Sequence, residues 1–176
     1  MTANTRTGMS HPAQWLAVVR IVTGLYFLKE IDKLTFGRLG GFFPWPTVSD
    51  RWVELMPKII SRQAAEHPLQ WYKTFLEQTV IPNAHLFASL TAWGEVMTGI
   101  SLTLGLFNGI GASVGLWLSL VYGLATFHMT PAQRGLHILL VALMMCFLGS
   151  RAGRTWGLDG WLAQRSEAWW TRRPLS

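Results

Sequence analysis

The chain has 176 residues, of which half are apolar and 14% are charged, and its formal net charge is +6. In a soluble protein, such an excess of basic residues would indicate nucleic-acid binding. Here a mean hydropathy of +0.26 and the grouping of apolar residues into blocks favour an integral membrane protein. The basic residues flank the apolar blocks, as membrane-flanking charge does. We therefore expect a lipid bilayer around the chain and no nucleic-acid partner.

Four apolar windows are long enough to cross a bilayer, whose hydrocarbon core of ~30 Å requires about 20 helical residues. They cover residues 15–36, 84–106, 109–127 and 132–149. Asn108 with Gly109 predicts a tight turn between the second and third windows, and Pro131 predicts the start of the fourth helix. Short links force neighbouring helices to be antiparallel, so we predict an all-α, integral membrane four-helix bundle.

A long insert, residues 37–83, separates the first two predicted spans. It opens on GRLGGFFPWP, which is loop-like, and continues with two amphipathic segments, DRWVELMPKII and PLQWYKTFLEQTVI. These segments are too short and too charged to span, so we predict helices that lie at the interface or fold over the bundle. A solvated hairpin is the alternative. The transmembrane domain is residues 15–150, between a tail at 1–14 and a basic, Trp-rich tail at 151–176.

Because neighbouring helices are antiparallel, many ionisable residues lie at the same end of the bundle, where the insert emerges. They are Lys29, Glu30, Asp32, Lys33, His85, His128, Arg134 and His137. One interpretation is that Lys29 and Lys33 snorkel to the interface and pair at the helix end. The other is a polar pocket under the insert that tolerates an anion, because its cations outnumber its acids.

Glu95 and Arg20 lie deeper, in the second and first windows, at depths that differ by ~8 Å at 1.5 Å per residue. An ionised group at such depth costs about 2.5–3.5 kcal/mol unless it is paired. An Arg20–Glu95 ion pair that only fixes the helix register is one interpretation. The other is a proton-handling carboxylate beside a quinone, with Glu95 and Arg20 as catalytic candidates.

His128 and His137 flank the predicted turn between the third and fourth helices, with Met129 beside them. These residue types bind haem iron or copper, but their spacing matches no specific motif, so we expect neither haem nor copper and no metal site. The lone Cys146 offers no disulfide. The candidate cofactor-binding residues are Lys29, Lys33, Glu30, His128 and His137.

Two blocks of the sequence resemble the DoxX/DoxD family of four-helix membrane proteins. LAVVRIVTGLYFLKEIDKL is similar to the first helix of that family, with matching residues Arg20, Gly24, Lys33 and Leu34. FLEQTVIPNAHLFASLTAWGEVMTGISLTLGL is similar to its second block, with matching residues Pro82, Glu95, Gly105 and Leu106. WGLDGWL is similar to the ending of the family, whereas Glu30 and Asp32 stand where it usually has a glycine.

The resemblance implies a small membrane subunit of a quinone-linked oxidoreductase, acting on thiosulfate or another small sulfur or thiol compound. It implies quinone as cofactor and further membrane or soluble redox subunits as partners. We expect the inner (plasma) membrane of a bacterium or archaeon, with cytoplasmic termini because basic residues begin directly after the fourth helix. The alternative function is a non-catalytic scaffold or docking subunit of a larger redox complex.

Overall fold

A computed structural model of the chain describes residues 12–39 and 43–165. This part is mostly helical. Its helices are α1 (Pro12–Leu28), α2 (Asp50–Ala65), α3 (Gln70–Phe75), α4 (Ala84–Leu104), α5 (Asn108–Thr126), α6 (Pro131–Ser150) and α7 (Leu158–Arg165). Most of the predicted N-terminal tail, and the C-terminal tail beyond residue 165, lie outside the described residues.

The four predicted windows each contain one long helix, and α1 packs on α4, α4 on α5, and α5 on α6. Two of these helices in the described part, α5 and α6, are long and apolar enough to cross a membrane. Only 17% of the apolar window of α6 is buried. The helical class is thus confirmed and two helices are candidate spans by length and composition, whereas an integral membrane four-helix bundle stays a prediction.

The start of α6 follows from its capping group, whereas the start of α5 differs from the prediction. Thr130 caps α6 through its side chain, which accepts from the Gln133 N–H, and Pro131 occupies the first turn as predicted. The predicted turn at Asn108 and Gly109 is wrong, because both residues lie inside α5. The chain turns just before them, where Gly105 has a φ of +62°.

The first helix is shorter than predicted and ends at Leu28, after which the chain forms a 3₁₀ turn over Lys29–Lys33. A hairpin follows where a loop was predicted: β1 (Leu34–Leu39) pairs antiparallel with β2 (Phe43–Val48). Proline is confined to edge strands in sheets, and both strands of a hairpin are edges. The prolines of FPWP, which suggested a loop, are therefore compatible with β2.

The insert folds over the bundle, as one of the alternatives predicted. Apolar residues of α2, α3 and the π-helical turn Leu76–Val80 share one core with α4 and α5, formed by Met56, Ala64, Tyr72, Leu76, Val80, Ala88, Ala92 and Ala125. His67 Nε2 bonds to the Leu124 carbonyl at 2.9 Å, and the Tyr72 hydroxyl donates to the Val121 carbonyl at 3.2 Å. These contacts rule out a solvated hairpin.

Glycines allow α1 and α4 to cross closely. A Cβ atom at Gly24 would lie 2.5 Å from the backbone nitrogen of Thr103, and one at Gly99 would lie 2.8 Å from that of Leu28. Backbone atoms cannot move away as the end of a side chain can. The crossing therefore requires the absence of a side chain at both positions.

Gly99→Ala should lower the free energy of unfolding by about 1–3 kcal/mol, because the added methyl group overpacks the crossing. Gly135→Ala is the matched control, since no atom lies within 4 Å of a Cβ at this exposed position of α6. It should be neutral or stabilise by up to about 1 kcal/mol. Unfolding titrations in detergent measure both, and equal losses would contradict a close crossing.

Candidate functional site

Lys33 and Glu95 form a buried ion pair between the 3₁₀ turn and the middle of α4. The Lys33 Nζ donates to Glu95 Oε2 at 2.6 Å, and the two side chains are 12% and 5% exposed. A charge removed from water is costly unless a counter-charge and hydrogen bonds compensate for it. Lys33 therefore supplies the compensation that the sequence alone assigned to Arg20.

The local fold holds Lys33 over Glu95. Because α1 stops at Leu28, the 3₁₀ turn bends the chain toward α4, and the Lys33 carbonyl accepts the Ser49 N–H at 2.8 Å. Ser49 in turn caps α2, and Trp52 on the first turn of α2 lies over the ammonium, with its ring centroid 4.1 Å from Nζ. The insert thus covers Lys33 with an aromatic face that favours a cation.

Two further residues complete what we call the Glu95 cluster: Glu30, Lys33, Glu95 and Tyr122. The Tyr122 hydroxyl on α5 donates to Glu95 Oε1 at 2.8 Å. Lys33 Nζ lies 3.0 Å from Glu30 Oε2, while Lys29 Nζ lies 3.3 Å from Glu30 Oε1. Helix-end pairing, one of the two alternatives stated for the charged end, describes the exposed Lys29. The other alternative was a pocket with a surplus of cations, but the adjoining cavity is lined by Glu30 and Glu95 and by neither lysine.

Glu30 and Lys29 are both ionised at neutral pH. Burial opposes ionisation of Glu30, but hydrogen bonds and charge from Lys33, and then from Lys29, outweigh it and lower the pKa of Glu30. Burial also disfavours the charged form of Lys29, but Tyr26 and Glu30 together raise its pKa. The outer end of the cluster is therefore a stable pair of opposite charges.

A cavity of about 190 Å³ adjoins the cluster. Its wall includes Tyr26 and Phe27 from α1, Glu95 from α4, Ser119 and Tyr122 from α5, and His137 from α6. An apolar groove of about 560 Å³ between α5 and α6 shares Ser119 and His137 with it and is otherwise lined mainly by Leu120, Leu124, Phe127, Ile138 and Val141. A small cavity with several polar groups in its wall thus adjoins a larger apolar groove.

The two candidate histidines have separate surroundings. His137 lies between the cavity and the groove, edge-on to the Tyr122 ring at 6.3 Å between centroids. His128 instead faces His67 at 4.7 Å, and burial, followed by the charge of His67, lowers the pKa of His128. Within residues 12–39 and 43–165, no group of three or more His, Cys, Asp or Glu residues is arranged to hold a metal ion.

Arg20 does not contact Glu95, so the predicted ion pair is wrong. Its fully buried guanidinium donates through Nη2 to the Trp156 carbonyl at 3.0 Å, at the end of the helices where the C-terminal segment packs. Asp159 supplies the negative charge that acts on Arg20. The reason is positional: the segment after α6 folds back and offers acceptors to Arg20, while the 3₁₀ turn brings Lys33 to Glu95.

Sequence reasoning missed four buried or covering residues: Trp52, His67, Tyr122 and Asp159. Tyr122 left a usable signal, because a phenol near the end of an otherwise uncharged apolar window needs a hydrogen-bond partner. Asp159 accepts the backbone N–H groups of Phe107 and Asn108 at 2.9 and 3.0 Å and so caps α5 from a distance. The described part of the basic, Trp-rich tail therefore packs against the ends of α1 and α5.

The sequence matches no family model, and comparison with curated proteins and with solved structures also finds no match.

Lys33→Met should lower the free energy of unfolding by about 3–5 kcal/mol, because it leaves the Glu95 carboxylate buried and unpaired. The double variant Lys33→Met/Glu95→Gln removes both charges and should recover much of that loss. Lys73→Met breaks the more exposed pair with Glu77, whose closest atoms lie 3.9 Å apart, and should cost about 0.3–0.5 kcal/mol. If the single and double variants unfold alike, the ion pair does not carry this stability.

Proposed function

We propose that this chain is an integral membrane subunit of a quinone-linked oxidoreductase, as the resemblance to the DoxX/DoxD family implies. The observation that supports it most is that the cavity at Glu95 and Tyr122 shares Ser119 and His137 with the apolar groove along α5 and α6. A quinone has the same division, a polar ring that exchanges protons and an apolar isoprenoid tail. Ligand sites are commonly apolar with a few placed polar groups.

Exposed apolar residues on the long helices support a bilayer around them. Leu25 on α1, Leu90 on α4, Trp117 on α5 and Ile138 on α6 are 53%, 59%, 67% and 65% exposed. A core helix of a soluble protein buries its apolar residues, whereas α6 buries few. Lipid contact explains these surfaces, and on this proposal α1 and α4 cross the bilayer with α5 and α6.

The proposed quinone places its ring in the cavity and its tail in the groove. The Tyr122 hydroxyl and the His137 ring are then the hydrogen-bonding groups near the ring oxygens, and Glu95 holds Tyr122 in place. When bound, the quinone supplies the two-electron redox chemistry. The residues of this chain orient its ring, exclude water and supply protons.

A reduced sulfur anion is the electron donor that the resemblance implies. Joining two thiosulfate anions through a new sulfur–sulfur bond gives tetrathionate and releases two electrons, which with two protons convert a quinone to a quinol. Lys29, the exposed cation nearest to the Glu95 cluster, is paired with Glu30, so on this proposal the anion competes with Glu30 for Lys29. Further redox subunits take part in this transfer on the same proposal.

A docking subunit without its own turnover is the second candidate, and the surface of the insert favours it. Phe36 on β1, Trp45 on β2 and Trp71 on α3 are 81%, 49% and 64% exposed. Aromatic residues of this kind are enriched at protein interfaces. Turnover by the isolated chain supports the first candidate, and a stable assembly that is active only with its partner supports the second.

Leu120→Trp should fill the groove and weaken binding of a short-tailed ubiquinone by about tenfold, or about 1.4 kcal/mol. Leu139→Trp is the matched control, because Leu139 is similarly exposed, 56% against 49%, but does not line the groove. Quinone extracted from equilibrated nanodiscs measures both affinities. Equal affinities would remove the groove from the site, and no binding by the unaltered chain would overturn the proposal.

Glu95→Gln should retain the fold and quinone binding, because Lys33 keeps Glu30 as a partner at 3.0 Å. It should reduce quinone reduction by about 100-fold, since a positioned proton-transfer group contributes at least that factor. The amide keeps the hydrogen bond with Tyr122 but cannot relay a proton. Turnover is followed as quinol formation with thiosulfate as donor and the partner subunits present. Unchanged turnover in this variant would exclude Glu95 from the mechanism.

A further inference from the structure

Arg134 lines the apolar groove between α5 and α6 at its insert end and has no part in the proposed quinone site. Its Nε donates to the Phe127 carbonyl at 3.0 Å, and the side chain is exposed. Within residues 12–39 and 43–165, no carboxylate forms an ion pair with this arginine. The bond at Nε orients the guanidinium, and the described part of the chain offers its two Nη groups no acceptor.

The groove next to Arg134 is long, apolar and open to the outer surface of the helices. Its lining residues on α6 run from Arg134 to Val141, which is about 10 Å at 1.5 Å per residue. Leu120 and Ile138 in its walls are 49% and 65% exposed. Among the described residues, no Asp or Glu lines it. A cation therefore lies at one end of an apolar slot.

The adjoining cavity carries the opposite charge in its wall. Glu30 and Glu95 contribute carboxylates to this wall, whereas Lys29 and Lys33 do not line it. Carboxylates repel a negatively charged ligand group, and a guanidinium attracts it. The charged group of an anionic amphiphile is therefore favoured at Arg134 over the cavity.

We propose that the groove binds an anionic phospholipid, with one acyl chain between α5 and α6 and the phosphate on the Nη groups of Arg134. Basic pockets between membrane helices bind the headgroups of such lipids. His137 lines the groove one turn deeper on α6, and its Nδ1 is buried with no hydrogen-bond partner among the described residues. The ester groups of a phospholipid lie between its phosphate and its chains, so they reach the level of this ring.

Non-specific snorkelling is the simpler explanation for an arginine near a helix end. Snorkelling needs neither a groove nor a fixed guanidinium, because a mobile side chain reaches any headgroup. Arg134 has both: Phe127 forms part of the groove wall and also supplies the carbonyl that holds Nε. The residue that lines the slot for the chain thus also orients the cation that binds the phosphate.

The lipid site goes beyond the proposed function and requires only that α5 and α6 lie in a bilayer. A quinone is uncharged, so its tail accounts for the apolar walls of the groove and leaves Arg134 without a partner. An anionic phospholipid accounts for both. Because the two chains use the same walls, a bound lipid has to leave the groove before a quinone tail enters it.

Native mass spectrometry of the full chain in detergent tests the site with two lipids that share their chains, dioleoyl phosphatidylglycerol and the uncharged dioleoylglycerol. The unaltered chain should bind one phosphatidylglycerol about tenfold more tightly, because hydrogen bonds between ionised groups are strong. Arg134→Gln should abolish this preference and leave the affinity for dioleoylglycerol unchanged. Arg62→Gln is the matched control, since it removes an exposed arginine of α2 outside the groove and should keep the preference.

Ile138→Trp tests the position of the acyl chain. It should fill the groove and weaken binding of both lipids by about tenfold, or about 1.4 kcal/mol. Leu139→Trp is the matched control, because Leu139 is similarly exposed, 56% against 65%, but does not line the groove. Its affinities should equal those of the unaltered chain.

Equal affinities of the unaltered chain for the two lipids would overturn the site, as would an unchanged preference in Arg134→Gln. Equal binding by the two tryptophan variants would place the lipid outside the groove and overturn it as well. If Arg134→Gln does not fold, Arg134→Lys replaces it and has to retain a preference for phosphatidylglycerol, since it keeps the charge. A chain that prefers phosphatidylglycerol but binds no ubiquinone supports the lipid site and contradicts the proposed function.

Discussion

The carboxylate of Glu95 lies within a long apolar helix, and the need to neutralise it organises the structure around it. Lys33 reaches Glu95 only because α1 ends at Leu28 and the chain turns back toward α4. The same turn presents Glu30 to the other side of Lys33, and α2 places Trp52 over the ammonium. A single buried charge thus accounts for the 3₁₀ turn, the position of the insert and the polar wall of the cavity.

The buried charges at the two ends of the helices, Glu95 and Arg20, are compensated in different ways. At the insert end, Lys29, Glu30, Lys33 and Glu95 form successive pairs of opposite charges, and both carboxylates line the cavity. At the other end, Arg20 is enclosed by Gly105, Gly157 and the Trp156 carbonyl, with no such series. A fixed cation that cannot be deprotonated in proteins suits a structural seal. On the proposed function, this asymmetry favours the insert end as the site of the chemistry.

The sequence determined the helices well and the polar contacts poorly. Helix positions follow from runs of apolar residues, which a bilayer or a bundle requires, and from local signals such as Thr130 with Pro131. The depths of the residues along straight helices predicted that Glu95 pairs with Arg20. Its partner is instead Lys33, which lies in the short 3₁₀ turn Lys29–Lys33. The prolines of β2 suggested a loop, so the hairpin was not predicted. The role of Asp159 depends on its hydrogen bond with the Phe107 N–H, which is distant in sequence. Such contacts are set by tertiary packing, which apolar periodicity does not encode.

The C-terminal segment that caps α5 has a consequence for the order of events during synthesis. The first N–H groups of α5 and the guanidinium of Arg20 acquire their acceptors from residues 155–159, which leave the ribosome after all four long helices. Until then, the helices lack the bonds that close that end of the bundle. A chain that ends before residue 155 therefore leaves the guanidinium of Arg20 and the first N–H groups of α5 without these acceptors.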